Sequence, residues 1–325
     1  MRHVLNINGR TIRAETGETL VDAAIGEGVL IPHDCATGQC ETCRVAIPYG
    51  LVNDHGTRYG DTVLACRATV LGDASITFEQ GPQAETQTCT VTALTPLSDT
   101  VLELRVRSED AIRHRPGQYA KLALKGFPAR EYSYSAPLQD DLRDDEAVFQ
   151  IKRLKGGRVS SQLGSGIAPG HKGRLTGPFG SAFLRQQEDG PLVLASSGTG
   201  FAPIWSIARA VLRAQPKRPV ALRTGVARGD AYMRPALSFL KDHGVGDIIL
   251  SDRSGHDGFR HGTPDRFLPP LNEQSSIHVA GNPVLVDAVR DVGLGANAKV
   301  YADPFTASAN KIGLLERVVG LATRT

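Results

Sequence analysis

The sequence predicts a multidomain protein that combines α+β with α/β architecture, and three stretches of the chain support this fold class. Residues 1 to about 80 hold four of the five cysteines among short alternating segments. Residues from about 89 to 188 repeatedly alternate apolar and polar side chains, which is typical of half-buried strands. From about residue 189, continuous apolar runs are followed by helical spacing, which favours an open α/β sheet.

Length and charge bound the class of protein. At 325 residues and 34.7 kDa, the chain has room for two or three domains with ample core. Its net charge of only +3 gives no case for nucleic acid or an acidic membrane as a partner. The first fourteen residues favour strands and not a signal peptide, and the few cysteines suit a reducing compartment, so we expect a cytoplasmic protein.

Four cysteines carry the strongest chemical signal. Cys35, Cys40 and Cys43 form a C-x4-C-x2-C loop, and Cys66 follows 23 residues after the third. This is the spacing with which a plant-type ferredoxin binds a [2Fe–2S] cluster, in which each iron takes two thiolates. A structural zinc site usually has two short Cys–Cys pairs, whereas this chain has one, so the spacing favours the cluster. Gly38 permits the inward turn that such a loop needs.

Simple patterns predict the elements around this loop. Residues 4–7 and 11–14 alternate around a Gly9-Arg10 turn, which predicts a hairpin. Residues 19–25 have helical spacing, with Thr19 as the expected N-cap. Closing strands are expected over 63–66 and 74–78, and the polar stretch 81–88 is expected to be a linker.

The next hundred residues predict a small antiparallel barrel, and one of its strands carries residues suited to binding a flavin. Arg130 can pair with a pyrophosphate, the Tyr132 ring can stack on an isoalloxazine, and the Ser133 hydroxyl can reach a ring nitrogen. An ordinary strand is the alternative for these residues. The strands predicted from alternation are 101–106, 119–124 and 147–151.

Two glycines later in the barrel favour an anion. Gly156 and Gly157 precede a short predicted helix that begins near Ser160, and the free N–H groups at a helix N-terminus attract phosphate. Residues 177–180, Gly-Pro-Phe-Gly, are expected to form a barrel turn.

A second glycine motif follows the apolar strand expected over 191–195. Gly198, Thr199 and Gly200 lead to Pro203, which stands where a dinucleotide fingerprint would have its third glycine. Gly198 suits a strand-to-helix turn, and Gly200 permits close approach of a ligand. A second loop, 280–283, follows the last predicted strand and can meet the same ligand, although an ordinary strand–turn–helix connection is the alternative.

Taken in this order, the motifs resemble those of the ferredoxin–NAD(P)+ reductase superfamily, and more closely the reductase components of bacterial aromatic-ring-hydroxylating dioxygenases. The resemblance runs to an aromatic residue, Phe305, near the C-terminus. The chain departs from it at Ala280, where many relatives carry a cysteine, and at Ser196-Ser197, where many carry two glycines. Residues 306–325 extend beyond most relatives, and we expect an amphipathic helical tail there.

The resemblance implies a β-grasp-type ferredoxin domain over 1–80, an FAD-binding barrel over 89–188 and a Rossmann-like NAD(P)-binding domain over 189–305. It favours FAD over FMN and NADH over NADPH. It implies that the flavin and its pyrophosphate are held by Arg130, Tyr132, Ser133, Gly156, Gly157, Val159 and Ser160. It implies that the nicotinamide dinucleotide is held by Gly198, Thr199, Gly200, Pro203, Gly281 and Pro283.

We assign catalytic contacts to Ser133, Thr199 and Phe305, although a core aromatic is the alternative for Phe305. In the loop after the second strand of the α/β region, Arg228 can pair with a 2′-phosphate and Asp230 can accept from a free ribose hydroxyl.

The function implied is an NADH-dependent reductase that feeds electrons to a terminal oxygenase, most directly a Rieske dioxygenase. A reductase for a di-iron monooxygenase or a deoxysugar dehydrase is the first alternative. A non-catalytic flavin and iron–sulfur relay subunit is the second.

Overall fold

A computed structural model describes residues 1–138, 142–227 and 229–306, and three sheets account for most of it. The chain forms them one after another, so each sheet is built from a continuous stretch of sequence. Within the described residues, no helix has the length and apolar character needed to cross a bilayer.

The N-terminal unit is a five-stranded sheet with one helix, in a β-grasp arrangement. The strand order is β2-β1-β5-β3-β4, and the first and last long strands, β1 and β5, run parallel at its centre. The predicted hairpin and helix are confirmed, and the Thr19 hydroxyl caps the helix by accepting from the Asp22 amide at 3.1 Å. The elements are β1 Arg2–Ile7, β2 Arg10–Glu15, α1 Leu20–Gly26, β3 Arg44–Asn53, β4 Thr62–Leu64 and β5 Thr69–Thr77.

The second sheet is antiparallel and nearly closes into a barrel, in the order β10-β7-β6-β11-β8-β9. Its inward-facing apolar side chains form one core, which is why the alternation correctly predicts the strands at 101–106, 119–124 and 147–151. A short 3₁₀ turn covers Ser160–Gln162. The strands are β6 Glu85–Pro96, β7 Val101–Ser108, β8 Tyr119–Leu124, β9 Arg130–Ser133, β10 Glu146–Lys152 and β11 Lys172–Phe179.

Two local expectations in this region are wrong. Strand β6 begins at Glu85, so the last four residues of the expected linker are strand. Their threonines suit a sheet surface, and Thr86 Oγ1 lies 2.9 Å from Thr176 Oγ1 across the ladder. The expected turn at 177–180 is mostly strand as well, because β11 continues to Phe179 through an irregularity in register with β8.

The third sheet is wholly parallel, in the order β15-β14-β13-β12-β16-β17. The chain builds outward from β12 in one direction and then returns to add β16 and β17 on its other side. The strand order therefore reverses between β12 and β16, which is where ligands bind in open α/β sheets. The elements are β12 Leu192–Ser197, α2 Phe201–Ala214, β13 Val220–Val226, α3 Arg234–Asp242, β14 Asp247–Asp252, β15 Arg260–His261, β16 Ser276–Gly281, α4 Pro283–Gly295 and β17 Lys299–Pro304.

The three units pack differently on one another. The barrel and the parallel sheet share apolar contacts, because Val101 and Leu184 lie in one cluster with Phe201 and Trp205. The core of the N-terminal unit is drawn from residues 5–78 alone, within the part of the chain that the structure describes. The expected helical tail falls on residues 307–325, which lie outside the described residues.

Candidate cofactor sites

In the cysteine loop between α1 and β3, backbone amides point at the sulfur atoms of the cysteines. Cys35 Sγ accepts from the backbone amides of Thr37 and Cys40, both at 3.4 Å. Gly38 has φ +82°, and its amide points at Cys66, whose thiol it helps to stabilise as the anion. Glu41 also holds a positive φ of +58°, which is backbone strain of the kind found at binding sites.

The four thiols fall into two pairs. Cys35 and Cys40 are joined through backbone amides, and the Cys43 thiol donates to Cys66. That donated hydrogen bond lowers the pKa of Cys66 to about 6. Two pairs of thiols, one pair for each of two irons, fit a [2Fe–2S] cluster.

Strand β9 presents the residues expected at the flavin. It forms the edge of the barrel sheet beside β8, with Arg130 and Tyr132 half-buried and Ser133 buried. The Tyr132 ring packs against Phe149 of the barrel core, 6.1 Å between centroids, and burial raises the pKa of Tyr132 to about 12. One edge strand therefore presents the cation of Arg130, the packed ring of Tyr132 and the hydroxyl of Ser133. This set suits the binding of a flavin.

The turn expected at the pyrophosphate is tight. Gly156 has φ +75°, and a Cβ on Gly157 would lie 2.4 Å from Ser160 Oγ. The Ser160 hydroxyl is buried and accepts from the Leu154 amide at 3.1 Å, while Val159 packs in the barrel core. These two side chains therefore brace the turn, and an anion would meet backbone amides there.

Two glycine loops cross at the carboxyl edge of the parallel sheet. A Cβ on Gly200 would lie 2.3 Å from the carbonyl oxygen of Ala280. A Cβ on Gly281, where φ is +119°, would lie 2.6 Å from the carbonyl oxygen of Ser197. Only glycine permits this approach, so the loops after β12 and β16 form one crevice at the reversal of strand order.

The remaining predicted residues of this crevice lie around the crossing. Gly198 is exposed with φ +56°, and Thr199 beside it is half-buried. Pro203 lies in the first turn of α2, and Pro283 is the first residue of α4, where proline loses no helical hydrogen bond. Phe305 is half-buried, and its amide donates to the Gly281 carbonyl at 2.7 Å.

Comparison with known proteins decides the family. A family model described as the 2Fe-2S iron-sulfur cluster binding domain matches residues 4–71. The ferredoxin–NAD(P)+ reductase component of a naphthalene 1,2-dioxygenase system from Pseudomonas putida is 33% identical over 94% of this chain and 98% of its own. The chain belongs to the ferredoxin–NAD(P)+ reductase components of oxygenase systems.

Other members of the family and solved structures agree with this assignment. The reductase subunit of an Amycolatopsis aromatic O-demethylase is 31% identical over 89% of this chain and 93% of its own. The Amycolatopsis cytochrome P450 reductase GcoB has a TM-score of 0.67 at 25% identity, covering 94% of this chain and 99% of that one. The ferredoxin reductase in carbazole 1,9a-dioxygenase shares the fold, with a TM-score of 0.64 at 23% identity and the same coverage.

Membership in this reductase family confirms the fold class and the cofactor set of a [2Fe–2S] cluster, FAD and NAD(P)H. It makes the chain an oxidoreductase of electron transfer. The roles of single residues and the choice between NADH and NADPH stay predictions.

One residue of this reductase that sequence reasoning missed is Asp303. The Ser133 hydroxyl donates to Asp303 Oδ2 at 3.2 Å, which joins the flavin strand β9 to the last strand, β17. Burial raises the pKa of Asp303 to about 7. A local sequence pattern cannot predict a contact between residues that are 170 positions apart.

Tyr232 is a second residue that the sequence did not single out. Its hydroxyl lies 3.0 Å from Gln150 Oε1 on β10 and 3.4 Å from the Gly198 carbonyl. It therefore ties the first glycine loop to the barrel.

The expected specificity loop is only partly described. Arg228 lies outside the described residues. The role of Asp230 as a ribose acceptor stays a prediction. In this structure its Oδ2 accepts from the hydroxyls of Ser98, at 3.2 Å, and Thr100, which joins the parallel sheet to the turn between β6 and β7.

Proposed function

We propose that this chain oxidises NADH and delivers the electrons to a terminal oxygenase, with a Rieske aromatic-ring-hydroxylating dioxygenase as the expected acceptor. Two relatives from naphthalene dioxygenase systems, each 33% identical over more than nine-tenths of this chain, support that acceptor class. The observation that carries the proposal is that the two glycine loops cross beside β17, whose Asp303 accepts from Ser133 of β9. This arrangement supports a hydride-donor crevice next to the predicted flavin strand.

When bound, NADH would supply a hydride, FAD would hold its two electrons, and the cluster would carry one electron at a time. The chain's part is positioning. Gly200 and Gly281 keep the crevice open for the dinucleotide, and Phe305 covers the flavin side of it. Ser133, oriented by Asp303, holds a hydrogen bond at the flavin edge, and the four cysteines hold the irons. We assign no general base, because hydride transfer needs none.

An anaerobic titration of the purified holoprotein with NADH tests the proposal. Bleaching of both the flavin and the cluster absorbance at about 1.5 equivalents of NADH supports an electron-splitting reductase, because FAD takes two electrons and the cluster takes one. Chromophores that stay oxidised with NADH and with NADPH would contradict it and favour the non-catalytic relay subunit.

The acceptor is tested separately with purified oxygenases. A di-iron acceptor remains the alternative, since the reductase component of an alkene monooxygenase system from Xanthobacter autotrophicus is 28% identical over 92% of this chain. Product formation with a Rieske oxygenase and none with a di-iron oxygenase is the expected result; the reverse would overturn the choice of acceptor.

We place the protein in the cytoplasm with a protein partner and without a nucleic-acid or membrane partner. The small net charge and the cysteines committed to a cluster support this placement. Recovery of the holoprotein in the soluble cell fraction, free of nucleic acid, is the expected observation, and recovery with membranes would contradict it.

A further inference from the structure

The N-terminal unit sits on the rest of the molecule through polar contacts. Its apolar core closes within residues 5–78. A cavity of about 1040 Å³ separates much of this unit from the barrel and the parallel sheet. The cysteine loop is therefore held in place by a small number of side chains, and their identity decides where the loop sits.

Four of these side chains form a cluster, which we call the β8 latch: Asp34 and Thr42 from the cysteine loop, with Tyr119 and Lys121 from β8. The first three side chains are buried, and that of Lys121 is 33% exposed. The Tyr119 hydroxyl donates to Asp34 Oδ2 at 2.8 Å and lies 3.0 Å from Thr42 Oγ1. Lys121 forms an ion pair with Asp34. The side chain of Asp34 is only 4% exposed, so these partners take the place of water around its carboxylate.

The barrel side of the latch packs on one aromatic ring. Tyr119 is 5% exposed, and its ring lies 5.7 Å from the Phe179 ring between centroids. Lys121 Nζ lies 5.2 Å from the centroid of the same Phe179 ring, which favours its position over the face. A single aromatic side chain thus supports both latch residues of β8.

The latch joins two sites that the chain must connect. Asp34 immediately precedes Cys35, and Thr42 lies between two cysteines of the loop. On the other side, β8 pairs with the flavin strand so that Tyr119 stands directly opposite Ser133. One hydrogen-bonded strand pair therefore separates the predicted flavin edge from the loop that holds the cluster.

We propose that the β8 latch positions the cluster against the flavin and so sets the rate at which electrons pass between them. Tyr119 and Lys121 are positioning residues in this scheme. The inference rests on the proposed function for its kinetic part, and it goes beyond that function by naming the residues that hold the two cofactor sites in register.

Substitutions on the barrel side test the latch without touching the cysteine loop. Tyr119→Phe keeps the ring on Phe179 and removes the hydroxyl shared by Asp34 and Thr42. Lys121→Met removes the cation, and Lys121→Arg restores it. Tyr301→Phe is the matched control, because its hydroxyl donates to a carboxylate, Glu188, at 2.7 Å, away from the cysteine loop.

Two measurements on the oxidised and the NADH-reduced holoprotein give the readouts. Amide hydrogen exchange of residues 34–43 reports loop docking without turnover, and anaerobic stopped-flow absorbance separates flavin reduction from electron arrival at the cluster. We expect Tyr119→Phe and Lys121→Met to accelerate exchange and to slow electron arrival by about tenfold each, with flavin reduction unchanged. Lys121→Arg and Tyr301→Phe should match the wild type.

Unchanged exchange and unchanged electron arrival in both latch variants would overturn the proposal. A variant that keeps flavin but loses the cluster would also count against it, because the latch would then be a folding element of the N-terminal unit. If NADH fails to reduce the wild-type flavin, the proposed function fails, while the exchange measurement still decides the latch.

Discussion

Asp303 lies in an environment that is unusual for a carboxyl group. Its carboxyl group accepts from Ser133 across two units of the fold, and burial raises its pKa from an ordinary 3.8 to about 7. A carboxyl group in such a place is neutral over much of the acid range and ionised above neutrality. Its proton is thereby linked to the packing of β17 against β9.

This linkage predicts a pH-dependent stability. Because the folded pKa lies above the unfolded one, the folded state binds more protons between about pH 4 and pH 7. The stabilisation is present below that window and is lost as the pH rises through 7. Melting temperatures at acid and alkaline pH should therefore show that Asp303→Asn loses less stability than the wild type on alkalinisation. The exposed Asp287→Asn is the control, and parallel pH profiles for all three proteins would contradict the prediction.

The crossing of the glycine loops makes a second residue-level prediction. A Cβ on Gly200 would lie 2.3 Å from a backbone oxygen, so Gly200→Ala must push the two loops apart. A displacement near 1 Å in a positioned site costs about 100-fold, and we expect kcat/KM for NADH to fall by about that factor. Gly295→Ala, at the end of α4 with open space around it, should leave the value unchanged. Normal NADH kinetics in Gly200→Ala would exclude this crevice as the dinucleotide site.

At the scale of elements, strand β16 carries a buried histidine. His278 is 1% exposed, its Nδ1 lies 3.1 Å from the Ala182 carbonyl, and its ring packs against Tyr301. Among the described residues, its Nε2 has no hydrogen-bond partner. Burial lowers the pKa of His278 to about 3, so the imidazole stays neutral while β16 is packed.

Strand β16 should therefore open more easily in acid. The unfolded histidine binds a proton below its ordinary pKa of 6.5 and the folded one does not until about pH 3, so stability is lost as the pH falls through this window. Within this window, the free energy of opening β16 falls by up to about 1.4 kcal/mol for each pH unit of acidification. Hydrogen exchange of β16 should show that slope in the wild type and in His261→Leu, which alters an exposed histidine. His278→Leu should lack it; equal slopes would show that His278 is not held neutral.

The sequence could predict those elements in which apolar side chains recur with a clear period. Strand β8 alternates over its whole length, and Thr19 caps its helix by purely local contacts. Strand β3 gave no such signal, because Pro48 and Gly50 interrupt it and much of it is exposed. The cysteine loop was predictable from spacing alone. The contact of Ser133 with Asp303 was not, because it exists only once the barrel and the parallel sheet have packed together.

At the scale of the whole molecule, the three units are joined unequally. Trp205 of α2 donates to the Ala136 carbonyl of the barrel region at 2.8 Å, within an apolar cluster that both units share. The N-terminal unit meets them through the β8 latch and through polar contacts of Glu41, which accepts from Ser181 and pairs with Arg290. Shared apolar area stabilises the first junction, whereas the second depends on side-chain geometry.

This asymmetry predicts that residues 85–325 fold without the N-terminal unit. The truncated protein keeps the cores of the barrel and of the parallel sheet intact, so it should bind FAD and oxidise NADH with ferricyanide at close to the rate of the full chain. It lacks the one-electron carrier, so its reduction of cytochrome c should be largely lost. Flavin content and the two acceptor assays make the measurement. A truncated protein that aggregates or loses FAD would show that the N-terminal unit completes the core. One that still reduces cytochrome c at the full rate would show that electrons leave directly from the flavin.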